Sequence, residues 1–233
     1  MKAVRFHEHG GPEVLRYEEA PEPVPRDGEV LVRVRACALN HLDLWQRRGI
    51  ERVRIPFPHI SGADVAGEVV AAPGSGMPPG RRVLLQPGLS CGRCEPCLDG
   101  RDNDCPQYDV LGYQSAGGYA EFVVVPVQNV VPIPDTLGFV EAAAFPLTFL
   151  TAWHMLITRA RLRAGEDVLV LGAGSGVGQA AIQIAWLHGA RIFATAGSEE
   201  KLARARELGA HEVINHHTQD FPKEIRRLTA NRG

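Results

Sequence analysis

Asp167-Val168-Leu169-Val170-Leu171-Gly172-Ala173-Gly174-Ser175-Gly176-Val177-Gly178 is the stretch that decides the fold. A short apolar run of this kind is what a parallel sheet buries. Here it passes through a glycine cluster straight into a helical pattern over Val177 to His188. Glycines let the backbone turn tightly and come close to a phosphate, which then sits on the N–H groups and positive end of the helix. Gly172, Gly174, Ser175, Gly176, Val177 and Gly178 are therefore the candidate phosphate-binding residues. The motif is not a strict G-x-G-x-x-G, and a plain strand-to-helix turn is the competing reading.

The elements that follow favour the nucleotide reading. A strand over Arg191 to Thr195, a helix over Glu199 to Leu208, a short strand over Glu212 to Ile214 and a helix near 219–229 alternate as a doubly wound parallel sheet requires. Upstream, Gly138 to Arg161 reads as one long Ala-rich helix. NAD-selective sheets carry an acid at the end of the second strand, about twenty residues past the glycines, for the ribose 2′-hydroxyl. That strand ends Thr195-Ala196-Gly197-Ser198-Glu199-Glu200-Lys201, which puts Ala196 at the acid position. Nothing there repels a 2′-phosphate, Ser198 offers a hydrogen bond and Lys201 a charge, so NADP(H) is preferred over NAD(H). Ser198 as a helix N-cap and Lys201 as a solvated side chain fit the same residues.

Before about residue 135 the pattern changes. Glu29 to Cys37 alternates with period two, and Val65 to Val70 and Phe122 to Val125 are further strand candidates. Pro/Gly clusters such as Ala72-Pro73-Gly74-Ser75-Gly76 separate them, as in a compact β barrel or sandwich. Residues 41–48 read as a brief helix. Set into this scaffold, Cys91, Cys94, Cys97 and Cys105 follow a C-x2-C-x2-C-x7-C spacing. Four thiolates close a tetrahedral zinc shell and leave no open position, so the metal builds structure and does not catalyse. Two disulfides are the serious alternative. A ferredoxin-type cluster would need a last gap of three residues instead of seven.

With 233 residues, 45% hydrophobic and 22% charged, and a formal charge of −2, the chain has no electrostatic footprint for nucleic acid or anionic membranes. The cysteine lobe itself carries Glu95, Asp99, Asp102 and Asp104 against Arg93 and Arg101, the wrong sign for phosphate backbones. Neither a signal-type apolar segment nor a run of membrane-spanning length occurs. The expected setting is the cytoplasm, which keeps thiols reduced for zinc, and the expected partner is a small-molecule substrate.

Together with Gly117-Gly118-Tyr119-Ala120-Glu121 and Leu147-Thr148-Phe149-Leu150-Thr151-Ala152-Trp153, these features resemble the medium-chain dehydrogenase/reductase superfamily, in its zinc-binding alcohol dehydrogenase and quinone oxidoreductase branch. The resemblance covers essentially the whole chain. It implies an α/β plus β architecture: a GroES-like β-barrel domain over 1–150 with a structural-zinc lobe at 88–110, then a partial Rossmann-type parallel sheet over 151–233. One structural zinc per chain, on the four lobe cysteines, is implied, and a homo-oligomer is compatible with it.

The catalytic-zinc ligands of the family would fall on Asn40, Ala63 and Leu147, in Asn40-His41-Leu42-Asp43 and Gly62-Ala63-Asp64 contexts. Alanine and leucine cannot donate to a metal, and an amide oxygen is a poor zinc ligand. That pattern resembles the quinone reductases, which pass hydride from NADPH to a quinone or activated alkene without a catalytic metal. The resemblance then makes Asn40 the polar group facing substrate, Asp43 its neighbour and Thr151 a packing contact for nicotinamide. Asn40 as a helix cap, Asp43 as a first-turn carboxylate and Thr151 as a buried helix threonine remain open. His216 falls where relatives often carry a cofactor-contacting tyrosine, and Cys37 reads as a buried strand thiol. A complete dinucleotide fold has about six strands, whereas this chain offers three before Asn231-Arg232-Gly233, where a fourth is expected to begin; about a hundred residues of the family pattern would follow. Two other functions therefore compete with the reductase: a non-catalytic zinc-stabilised nucleotide-binding or interaction module, and a zinc alcohol dehydrogenase.

Overall fold

The structure, a computed structural model, describes residues 1–51 and 53–231. Arg232-Gly233, where a fourth strand is expected to begin, lies outside the described residues. The chain divides into two compact units, Met1–Leu147 and Thr148–Gly233.

The first unit is built on β-strands. Antiparallel β1 (Lys2–Arg5) and β2 (Arg16–Glu19) form a ribbon, followed by β3 (Glu29–Ala38), helix α1 (His41–Arg48), β4 (Asp64–Ala71) and β5 (Arg82–Leu85). Short β6 (Gly88–Leu89) and β7 (Asp109–Val110) pair with each other around the one-turn helix α2 (Glu95–Leu98). The unit is completed by β8 (Phe122–Pro126), β9 (Val130–Pro132) and helix α3 (Phe139–Ala143). The main sheet is five-stranded and antiparallel in the order β8-β3-β4-β5-β9. Strand β3 was expected to be half-buried by alternation, yet Val30, Leu31 and Val32 are all buried. Its N-terminal half lies between β8 and β4, and both faces are covered there: Val30 and Val32 join Val65, Val83, Val123 and Val125 in the core. Alternation appears only beyond Arg33, where Arg33 and Arg35 are exposed.

The second unit opens with α4 (Pro146–Trp153), which starts in the last residues of the first, and runs into one π-helical stretch, His154–Arg159. The single helix expected over Gly138 to Arg161 is thus three pieces. Pro146 lacks an N–H and its ring clashes with the preceding turn, so it can start a helix and cannot sit inside one. Then come β10 (Asp167–Val170), α5 (Gly176–Leu187), β11 (Arg191–Ala196), α6 (Glu199–Glu207), β12 (Glu212–Asn215) and α7 (Phe221–Leu228). The strands form a parallel sheet in the order β10-β11-β12. Helix α5 packs Ala180, Ala181, Ile182, Ile184 and Ala185 against Ile192 and Ala194 of the sheet. The expectation of a fully buried first strand fails at β10: Leu169 is 39% exposed, because among the described residues β10 has only β11 as a neighbour. No described helix is long and apolar enough to cross a membrane.

Candidate functional site

The zinc lobe is a hairpin insertion whose base is the two-residue β6–β7 pairing. Cys94 is the N-cap of α2, Cys97 lies within that helix, and Cys105 ends a 3-10 turn over Asp102–Asp104. All five cysteines are free, which sets the disulfide reading aside. The four lobe sulfurs lie within 4.8 Å of one another, with Sγ–Sγ separations of 3.9 Å for Cys91–Cys97 and 3.4 Å for Cys94–Cys97. Tetrahedral zinc with bonds of about 2.3 Å places its sulfurs about 3.8 Å apart, so the quartet fits that ion. The N–H groups of Arg93 and Cys94 pull Cys91 down to about 6. Against the N–H of Cys97, burial and bonds to the other sulfurs push Cys94 up to about 12. Thiolates this close repel, and a divalent cation is what lets all four ionise together. Among the described residues this is the only cluster of its kind.

The nucleotide candidates gather at the carboxyl ends of the three parallel strands, where such sheets bind ligands. After β10 the backbone turns at Gly172, with φ +69. Ser175 caps α5: its hydroxyl accepts from Gly178 N–H at 3.0 Å and donates to Gly172 C=O at 2.9 Å. A Cβ at Gly178 would stand 2.4 Å from Gly172 O and 3.0 Å from Ala173 Cα, so only glycine lets the helix approach the turn this closely. At Gly174 the obstacle would be the flexible Lys201 stem. Gly178→Ala is therefore expected to weaken nucleotide binding about five- to hundredfold, since backbone cannot yield and overpacking costs about 1–3 kcal/mol. Gly174→Ala should weaken it far less. Calorimetric titration with nucleotide, on variants whose circular dichroism matches the parent, checks the difference.

A cleft of about 360 Å3 opens between the glycine turn, Ala196-Gly197 at the end of β11, Lys201 on α6, and His216 and His217 after β12. No carboxylate of a described residue lines it. Ser198 is not among its walls; its hydroxyl caps α6 by accepting from Lys201 N–H at 3.4 Å. His217 was missed by the sequence reading, which singled out only its neighbour His216; two histidines directly after a strand were the available signal. A larger hollow of about 640 Å3, against Glu166, Leu169, Phe193 and Ile225, is lined by none of the candidate phosphate-binding residues.

In the first unit, Asn40 is the N-cap of α1, and the Asp43 carboxylate accepts from Asn40 N–H at 2.7 Å. Tyr119 donates its hydroxyl to the same Asp43 oxygen at 2.7 Å. Asp64, 1% exposed, accepts from the Asn40 amide at 2.9 Å and from Leu147 N–H at 2.7 Å. An ionised carboxylate only accepts, so the amide nitrogen of Asn40 must face it. Burial drives the Asp64 carboxyl up to about 6, against the pull of those two donors. The sequence positions Asn40, Ala63 and Leu147 are thus brought together around one buried carboxylate, although two of them carry no metal-binding atom. Burial holds the Cys37 thiol far above its ordinary range, so it is an inert strand thiol. Thr151 lies half-buried on α4, in the second unit.

Residues 26–135 match the alcohol dehydrogenase GroES-like domain, and residues 176–233 match the zinc-binding dehydrogenase family. The quinone oxidoreductase of Mus musculus is 37% identical over 229 residues; the match takes in 97% of this chain and 61% of that protein. The chain thus spans less than two thirds of that relative's length. The NAD-dependent alcohol dehydrogenase of Sulfurisphaera tokodaii is 33% identical, with 100% of this chain and 69% of that protein covered. A crystal structure of an NAD-dependent alcohol dehydrogenase matches with a TM-score of 0.97 at 54% identity, over 100% of this chain and 68% of that one.

Proposed function

The chain belongs to the medium-chain dehydrogenase/reductase superfamily, in the branch shared by zinc-binding alcohol dehydrogenases and quinone oxidoreductases, and from that premise we propose that it is an NADPH-dependent reductase of quinones or activated alkenes that works without a catalytic metal. The observation that carries this reading is the filling of the would-be metal site by the Asp64 carboxylate and its hydrogen bonds to Asn40 and Leu147. Asn40, Ala63 and Leu147 do not make a zinc site, and no step runs through one.

A bound nicotinamide nucleotide supplies the hydride. The chain's own part is to hold and orient. The turn from Gly172 to Gly178 presents N–H groups and the start of α5 to the phosphates. The absence of an acid at Ala196 favours the 2′-phosphorylated form of the nucleotide. One N–H of the Asn40 amide is taken by Asp64, and the second has no partner among the described residues; it is what this unit offers to a substrate oxygen as negative charge develops there. The Asp43 carboxylate and Tyr119 fix the start of α1, and so the place from which Asn40 reaches out. The four lobe cysteines would hold a structural zinc, in a cytoplasmic setting that keeps them reduced.

Oxidation of NADPH by the protein in the presence of a panel of quinones and enones is the test. Turnover with NADPH and one zinc per chain by metal analysis are expected. Absence of turnover with every acceptor would refute the reading. The alcohol dehydrogenase relatives support a second reading, a zinc enzyme oxidising alcohols with NAD, which requires two zincs per chain. Binding of cofactor without turnover would instead favour a non-catalytic nucleotide-binding module.

A further inference from the structure

We propose that Gln46 is a positioning residue: its buried side-chain amide sets how α1 lies, and through α1 the place from which Asn40 meets a substrate oxygen. The inference rests on the role given to Asn40 above and adds a residue that no motif singles out.

Helix α1 has no apolar anchor. The side chains it buries are those of Gln46 and Arg47, whereas Leu44 and Trp45 are exposed. An isolated helix of eight residues is marginal in water, so α1 takes its place from what its buried side chains touch. Here those contacts are hydrogen bonds, which fix direction as well as distance. Gln46 is 2% exposed, and its Oε1 accepts from Ser61 Oγ at 2.6 Å. Its Nε2 donates to Gly112 C=O at 2.6 Å and to Tyr113 C=O, and lies 2.8 Å from His59 Nε2. Turning the amide over would set its oxygen against two carbonyls, which cannot donate, so one orientation is enforced. An amide nitrogen cannot accept either, so His59 presents a bare Nε2 and is neutral, the form that its burial favours. Arg47 adds a weaker hold, donating from Nε to Gly10 C=O at 3.3 Å.

One stretch of chain grips both ends of the helix. Ser61 holds Gln46 in the last turn of α1, and Asp64, three residues on, holds the Asn40 amide at the N-cap. That stretch is seated on backbone. A Cβ at Gly112 would stand 2.8 Å from the N and the O of Gly62, so the turn that receives Gln46 packs directly on the chain between Ser61 and Asp64. Asp43 and Tyr119 fix the start of α1, and Gln46 fixes its direction by holding the other end.

The test is a double-variant cycle in turnover of NADPH with the quinone that the parent reduces fastest. Gln46→Leu keeps a similar volume and removes every one of these hydrogen bonds. It is expected to lower kcat about tenfold and to leave the KM for NADPH within about twofold, as misplacement of a reacting group does. Asn40→Ala should lower kcat by itself, and adding Gln46→Leu to it should change kcat by less than about twofold, because residues that act as a unit are not additive. A full further loss in the double variant, or an unchanged kcat in Gln46→Leu, would overturn the positioning role. Ser61→Ala removes one bond, leaves both carbonyls satisfied and serves where Gln46→Leu does not fold; it should lower kcat about two- to fivefold. Exposed Arg48, changed to alanine, should leave kcat as it is. Hydrogen exchange reads the same hold without turnover: in Gln46→Leu the amides of residues 45–49 should lose protection about tenfold while those of β3 and β4 keep theirs. Unchanged protection in α1 overturns the proposal whatever the activity. Lost protection in a protein that reduces no acceptor supports the hold on α1 and refutes the reductase reading alone.

Discussion

Removing the metal with a strong chelator, or replacing Cys97 by serine, is expected to melt the lobe between β6 and β7 while the five-stranded sheet stays folded. The reason is the lobe's composition. Of its cysteines only Cys105 is buried, and Leu98, an apolar side chain that a lobe with a core would enclose, is 74% exposed. The base pairing is two residues long on each strand. The ion pairs of Arg101 with Asp99 and Asp104 are solvent-exposed and screened, so they contribute little. Against these, a structural zinc contributes an apparent binding energy of about 10–16 kcal/mol. The sheet draws on a separate supply of burial, Val30, Val32, Val65, Val83 and Leu85 among others. Limited proteolysis should therefore cut within residues 91–105 of the chelated protein and spare the zinc-loaded one, with zinc content falling from one per chain to near zero. Equal protease resistance with and without chelator would refute a metal that holds the lobe together.

Much of this architecture was legible because its determinants are local. The cysteine spacing, the run from Asp167 to Gly178 and the alternating elements after it each lie within a dozen or so residues, and physical rules about turns, thiolates and helix ends act at that range. The helix expected over Gly138 to Arg161 rested on alanine-rich composition, and Pro146 breaks it. Leu31 and Leu169 were misread in opposite senses, because burial of a strand depends on which strands flank it, and sequence alternation does not carry that. The cleft past the end of β11 was partly legible: Ala196 and Lys201 were singled out in the sequence, whereas setting His217 beside them needed the register that places β12 next to β11. Least legible was the centre of the first unit. Asp64 stands 24 residues from Asn40 and 83 from Leu147, so the network it organises exists only after folding.

That network yields a prediction in which the sign matters. Asp64 has its carboxyl pushed up to about 6 from an ordinary 3.8, mainly by burial. A carboxyl whose folded value lies above its unfolded value contributes stability that is fully present below the unfolded value and lost as pH rises through the folded one. Between about pH 4 and pH 6 the charge on Asp64 thus becomes a cost, which reaches about 3 kcal/mol and then stays level. Asp64→Asn removes this charge. Its side-chain oxygen can still accept from Leu147 N–H, and its amide nitrogen can donate to Asn40 if the Asn40 amide turns over. Asp64→Asn is accordingly expected to match the parent near pH 4 and to be more stable by up to about 3 kcal/mol above pH 6.5. Asp64→Ala leaves the Leu147 N–H and the Asn40 amide without their acceptor, at about 1–3 kcal/mol for each unsatisfied group, so it is expected to be destabilised at pH 4, where the lost carboxyl was uncharged. Urea unfolding of the three proteins across pH 4–8 separates these effects, because the shared exposed carboxylates cancel in the differences. The parent tolerates this cost at neutral pH, and under the proposed function the return is placement: Asp64 holds one N–H of Asn40 and aims the other. In turnover assays Asp64→Asn should then lower kcat at least about tenfold despite its greater stability, since the Asn40 amide that turns to meet it no longer presents an N–H to substrate. A stabilised variant with undiminished kcat would leave Asp64 no positioning role.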